Sequence, residues 1–301
     1  MKALRRILAL LVISLLIVLA HAAGVVGGFL QTDCAQRVLA WTVPFLLCRG
    51  TDCGFSDTEG RQEVSCESYS KKAVSAASGG VAVILTLGQS NAANFGEVRF
   101  APRPAVDNFN PFDGRCYRAR DPLLGTDGRG GSPWSRLGDL LVATGRVKRI
   151  LIVPIAVGGS SIERWAPDGD LHPRIRRVKT MLDDAGVGVT HVLWHQGESD
   201  ARATSGQEYA ERFGQLLASL REVGLDAPVY AAVATWCGGV RPKAEEIRAA
   251  QESLPRRFEG VFPGPDTDQL DRFSLRHEIC HFSEEGLKAH AALWAESVWR
   301  P

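Results

Sequence analysis

Residues 81–91 read VAVILTLGQSN. Val81–Leu87 is an unbroken apolar and β-branched run, the pattern of a strand buried on both faces. It stops at Gly88-Gln89-Ser90-Asn91, a sharp turn that leaves a hydroxyl at the strand's carboxyl end. Further runs of the same kind are Ile150–Val157, Val189–Trp194, Val229–Thr235 and a short Gly260–Phe262. Helical patterns separate them. Ser132-Pro133 reads as an N-cap and first helical position before Trp134, Leu137 and Leu141, with Gly145 as the stop. Ile175, Val178 and Leu182 mark a helix ending near Gly186. Tyr209, Phe213, Leu216, Leu220 and Val223 mark a longer one. Pro242–Leu254 is helix-prone, and Ser283 caps a last helix carrying Leu287, Ala291, Trp294 and Val298. Buried-type strands alternating with helices imply a parallel sheet covered on both faces. Ligands of such sheets lie beyond the carboxyl ends of the strands. The stretch from Gly96 to Gly131 has little periodicity and follows the first strand directly, so it is expected to shape a site.

The 301 residues carry 35 Lys+Arg against 34 Asp+Glu, a net charge of +1. That near-balance gives no electrostatic reason to expect a nucleic-acid partner. The chain begins differently from the rest. Lys2, Arg5 and Arg6 precede an apolar run from Ile7 to Ala20, Ala20-His21-Ala22 fits a cleavage site, and no charge occurs from Ile7 to Leu30. Residues 1–30 therefore read as a signal peptide or, through residues 7–30, a membrane anchor. Both place the remainder outside the cytoplasm, periplasmic or secreted. Residues 31–79 form a Cys-containing lead-in, and residues 80–301 form the main domain. Disulfides are then permitted. Cys34, Cys48, Cys53 and Cys66 are expected to make two local bridges. A Cys237–Cys280 bridge would tie the loop carrying His281 to the sheet, and Cys116 is left over.

The chemistry-bearing residues follow the strands in order. Ser90 comes after the first, Gly158-Gly159-Ser160-Ser161 after the second, and His195-Gln196-Gly197-Glu198-Ser199-Asp200 after the third. Glu278-Ile279-Cys280-His281 comes near the end. A Ser, close-approach glycines, an amide donor and a carboxylate three residues before a His are the parts of nucleophilic catalysis by a Ser–His pair with an oxyanion site. Each alone is a common turn; their succession is the signal.

These blocks resemble the SGNH (GDSL-type) hydrolases, in the subgroup of sialate O-acetylesterases and acetylxylan-type esterases. Gly88-Gln89-Ser90-Asn91, the W-x-Q-G-E-x-D pattern from Trp194 to Asp200, and His281-Phe282-Ser283-x-x-Gly286 carry the resemblance, over roughly residues 80–300. It implies a flavodoxin-like three-layer α/β/α sandwich with a five-stranded parallel sheet. It also implies Ser90 as nucleophile, His281 as base, and oxyanion donors from Ser90, Gly158 or Gly159, and Gln196. The implied substrate is an acylated, mainly acetylated, carbohydrate or another small ester, with no cofactor and no metal. The family usually has Asp where this chain has Glu278, so Asp266 and Asp268 are the fallback partners for His281. Asn91, Glu198 and Asp200 are expected to brace the turns. Arg164, Trp165 and His172 are expected in a loop facing the site.

Two other readings stand beside this one. His277-Glu278-Ile279-Cys280-His281 spells H-E-x-x-H, which on a helix would hold zinc. A carbohydrate-binding domain with weak catalysis is the third, supported by Glu278 alone.

Overall fold

The computed structural model describes residues 54–76, 80–238 and 242–299. The leader, Cys34, Cys48 and Cys53 lie outside the described residues. Among the described residues no helix is long and apolar enough to cross a membrane.

Eight strands form one sheet: β1 (Glu63–Val64), β2 (Val81–Gly88), β3 (Val106–Asn110), β4 (Arg115–Arg118), β5 (Arg149–Pro154), β6 (His191–His195), β7 (Val229–Val233) and β8 (Val261–Asp266). Their order is β1-β4-β3-β5-β2-β6-β7-β8. The run from β3 to β8 is parallel throughout. β4 and β1 add antiparallel strands at one edge. The α/β class and the five expected parallel strands agree with the sequence, but β3 adds a sixth parallel strand and the sheet as a whole is eight-stranded.

The three extra strands escape a hydrophobicity reading for a physical reason. β3 is VDNFN, and Asp107, Asn108 and Asn110 are at most 1% exposed. Buried polar groups are tolerated when their hydrogen bonds are made, and here they are. The Asn108 amide donates to the carbonyls of Phe109, Leu124 and Ile152 and accepts from Leu124 N–H at 2.7 Å. Asp107 takes the Tyr69 hydroxyl, Arg118 at 2.8 Å and Arg149 at 2.9 Å. β1 pairs with β4, and Cys66 is bonded to Cys116. That bridge replaces the expected local pairing of Cys66, and Cys116 is not the odd cysteine.

The helices are α1 (Lys71–Ala76), α2 (Pro133–Ala143), α3 (Ile162–Trp165), α4 (His172–Asp184), α5 (Gly206–Glu222), α6 (Ala244–Arg257) and α7 (Glu284–Val298). They cover both faces of the sheet. Ala82, Ile84, Ile150 and Ile152 pack with Trp134 and Leu137 of α2 and Trp294 of α7. On the other face Leu87, Val192 and Trp194 meet Phe213, Leu216 and Leu220 of α5. Caps fall where the sequence puts them. Ser132 Oγ accepts from Trp134 N–H with Pro133 at the first position, and Ser283 Oγ accepts from Gly286 N–H. β8 carries Pro263 and Pro265 and lies at the sheet edge, where a missing N–H is tolerated.

Candidate active site

The Ser90 turn is forced by contact. Gly88 has φ 132°, and a Cβ there would sit 1.9 Å from the His195 carbonyl oxygen of neighbouring β6, so only glycine ends the strand this way. Ser90–Ala92 forms one 3-10 turn, with Ser90 only 6% exposed. The residues flanking Ser90 fasten it to the other blocks. Gln89 Oε1 accepts from Ser199 N–H at 3.0 Å and from the Gln196 amide at 3.3 Å. Asn91 donates to Glu198 Oε1 at 2.8 Å and lies 3.4 Å from the Cys280 carbonyl, one residue before His281.

After β5 the chain turns at Gly158-Gly159. Gly159 has φ 64°, the left-handed region suited to glycine. Gly158 N–H donates to both oxygens of Asp127, at 2.9 and 3.0 Å. Burial pushes the Asp127 carboxyl up to about 6, opposed by the Gly158 N–H and by Arg174 and Arg164. The Gly158 N–H is therefore committed. Gln196 is committed too: it is fully buried, and its amide hydrogens go to Ser160 O at 3.0 Å, Gln89 and Asp200. Of the four expected oxyanion donors, Ser90 and Gly159 have N–H groups with no hydrogen-bond acceptor among the described residues. Gln196 instead braces the first block to the second. Asp200 supports the same junction by accepting from Ile162 N–H and the Thr204 hydroxyl.

His281 lies in a hairpin. Arg276–His277 (β9) pairs antiparallel with His281–Phe282 (β10), His277 facing His281. H-E-x-x-H is thus not helical here, which removes the geometry on which the zinc reading rested. Among the described residues no group of three His, Cys, Asp or Glu side chains is arranged to hold a metal. Glu278 and Ile279, at the tip, have φ 50° and 71°, uncommon for non-glycine residues and an outlier for β-branched Ile279. That backbone brings Glu278 Oε2 to 3.6 Å from His281 Nδ1. His281 is 2% exposed, and its Nδ1 makes no closer hydrogen bond among the described residues. The fallback acids are engaged elsewhere. Asp268 accepts from Thr235 N–H, the Thr235 hydroxyl and Trp236 N–H, and Asp266 pairs with Arg248.

Three supports hold the His281 loop. Cys280 is bonded to Cys237, as the sequence suggested. Arg276, 7% exposed, donates to the carbonyls of Cys280, Thr267 and Leu270. Its guanidinium lies between the rings of Trp236 and Phe282, at 4.6 and 4.1 Å. Below the site runs a buried polar chain. Trp294 Nε1–H donates to His290 Nε2 at 3.0 Å, and burial, then His195 and Arg276, hold His290 neutral. His195 Nδ1 also lies 3.0 Å from that nitrogen. His195 Nε2 lies 3.4 Å from Glu198. Burial alone would raise the Glu198 carboxyl, but His195 and the Asn91 amide outweigh it and hold it below the ordinary range.

The loop residues land differently from expectation. Trp165 is fully buried, donates to Ser160 Oγ at 2.9 Å and packs edge-on against Trp194. His172 is 5% exposed, with Nδ1 facing Trp165 O. Neither offers a face to a ligand; they support the Gly158–Ser161 turn from behind. Arg164 forks onto Asp170, with two contacts of 2.8 Å. The sequence reading missed Phe95, Asp127 and Arg276. Only Arg276, beside the His281 block, sits where a strand-end search would look.

The family model for carbohydrate esterase, sialic acid-specific acetylesterase, matches residues 80–300. The chain belongs to this family. It is an SGNH-type carboxylic ester hydrolase. A search of curated proteins finds no match. Among solved structures, a protein from Arabidopsis thaliana is similar, with 22% identity over 72% of this chain and 96% of that one, at a TM-score of 0.61. A carbohydrate acetylesterase from Xanthomonas citri is 17% identical over 72% of this chain and 55% of that one, with a TM-score of 0.46. The Arabidopsis likeness shows the fold.

Proposed function

We propose that this esterase removes short acyl groups, acetyl foremost, from carbohydrate hydroxyls through an acyl-Ser90 intermediate, and that it works outside the cytoplasm. The observation that carries the reading is the junction around Ser90. Gln89 and Asn91 bond to Ser199, Gln196, Glu198 and Cys280, so the nucleophile turn is tied directly to the third and fourth blocks.

His281 Nδ1 faces Glu278, which leaves Nε2 for the Ser90 proton. As Ser90 Oγ bonds to the acyl carbon, its proton passes to His281 and the carbonyl electrons move to oxygen. Ser90 N–H and Gly159 N–H are the open donors for that oxyanion. Collapse breaks the carbon–oxygen bond to the sugar, and His281 returns the proton to the leaving hydroxyl. Water, deprotonated by His281, then attacks the acyl carbon; acid is released and Ser90 regains its proton. No cofactor enters any of these steps. Residues 1–30 supply the export reading, by cleavage or by anchoring.

The test is hydrolysis of p-nitrophenyl acetate and of an acetylated sugar by wild type and Ser90→Ala. Loss of at least a thousandfold in kcat is expected. Equal rates in the two proteins would sink the proposal.

A further inference from the structure

We infer that Phe95 is the residue that sets acyl chain length, walling the acyl side of Ser90 so that acetyl fits and longer chains do not. The inference rests on the esterase reading above and adds a specificity-determining residue to it.

Phe95 stands just beyond the Ser90–Ala92 turn and is half-buried. Its ring centroid is 5.1 Å from that of His281, with the planes inclined by 31°, so the base covers one flank. Its tip lies against the second block: a Cβ on Gly158 would be 2.7 Å from Phe95 Cζ and 2.9 Å from Cε2. Its Cδ2 edge lies against Gly128, where a Cβ would be 2.9 Å away. Glycine at both positions is what makes room for the ring. Phe95 thus spans from the base to the Gly158-Gly159 turn.

Its neighbours in the site are polar. Ser90, Gln89, Asn91, Gln196 and Asp127 end in polar groups, whereas Phe95 presents an apolar ring. An acyl methyl leaves water most favourably against such a surface. A sugar platform needs an open ring face, and His281, Gly158 and Gly128 already occupy much of this ring. The wall is also fixed. Asn94 N–H donates to Asp127 O, the Asn94 side chain exchanges hydrogen bonds with Leu123, and Gly96 and Gly131 exchange N–H···O bonds at 2.9 and 2.7 Å. The backbone on each side of Phe95 is held to the same insertion, so the ring does not yield by moving its chain. Each methylene that must be refused is worth about tenfold or more in kcat/KM when a pocket wall blocks it.

The experiment compares p-nitrophenyl acetate, butyrate and hexanoate with full-length wild type, Phe95→Ala and Phe95→Leu, using Ser90→Ala as the blank. Wild type is expected to favour acetate over hexanoate by about a hundredfold or more, and Phe95→Ala to shift that ratio at least tenfold toward hexanoate, with Phe95→Leu between. Phe95→Leu keeps the test decisive if the alanine variant fails to fold. Equal chain-length ratios in wild type and variants, with Ser90→Ala inactive, overturn the inference while leaving the esterase reading intact. A raised KM for an acetylated sugar with no change in chain-length ratio also overturns it, because the ring would then face the sugar. Equal activity of wild type and Ser90→Ala fails the esterase reading instead.

Discussion

Replacing Glu278 by Gln removes the charge beside His281 while keeping the side chain's size. The carboxylate oxygen lies 3.6 Å from Nδ1, and the side chain is 38% exposed. Water around the Glu278 carboxylate screens the pair although His281 itself is buried, so an effective dielectric between roughly 40 and 80 applies, and the attraction to the imidazolium that forms in the transition state is about 1.2–2.3 kcal/mol. That converts to a fall of about 7- to 50-fold in kcat. The loss is far below the ~10⁴-fold seen when a buried acid that fixes the His tautomer is neutralised, because the Glu278 side chain is 38% exposed and its carboxylate stands 3.6 Å from Nδ1. The assay is kcat and KM on p-nitrophenyl acetate for wild type, Glu278→Gln and Asp268→Asn. Glu278→Gln is expected to lower kcat with KM held. Asp268→Asn is expected to lower the melting temperature, since it caps the Thr235–Trp236 turn, with kcat within about threefold of wild type. Wild-type kcat in Glu278→Gln, or a larger kcat loss in Asp268→Asn than in Glu278→Gln, refutes the assignment.

Three further outcomes are expected. Asn108→Leu strands the Leu124 N–H and three carbonyls in the core, and urea unfolding should show a loss of about 2–4 kcal/mol; a loss below about 0.5 kcal/mol would show that β3 does not need its polar ladder. Cys237→Ser with Cys280→Ser opens a bridge spanning 43 residues, which the chain-entropy treatment values at up to about 4 kcal/mol; calorimetry should record a lower melting temperature, and an unchanged one contradicts the tether. Burial pushes Asp121 from 3.8 up to about 6. The folded chain therefore holds this proton longer than the unfolded chain, so its contribution is present below about pH 4 and is lost as pH rises through 6. Melts across pH 4–7 should show a shallower decline in Asp121→Asn than in wild type; identical slopes would contradict it.

Much of the fold was readable because the centres of β2, β5, β6 and β7 are buried on both faces and so are mostly apolar. The chemistry was readable because each block follows one of those strands. β3 was not, since Asp107 and Asn108 are solvated by Arg118, Arg149, Tyr69 and backbone groups distant in sequence. Trp165 and His172 show the same limit: an aromatic and a His after a glycine turn look like ligand contacts until packing shows both enclosed. Gln196 was recognisable as an amide near the nucleophile, but which acceptors its hydrogens meet depends on Ser160 and Asp200 arriving from separate segments. Phe95 and Asp127 became visible only once the insertion's glycines were seen to admit a ring and a carboxylate.

The two ends of the sheet bear on how copies of this protein meet. At one edge β8 carries Pro263 and Pro265, which have no N–H to offer an incoming strand. At the other, β1 is two residues long, too short to template a foreign strand. Such edges resist the edge-to-edge recruitment by which exposed sheets grow into aggregates. High concentrations of folded chain should therefore be tolerated without ordered β-stacking.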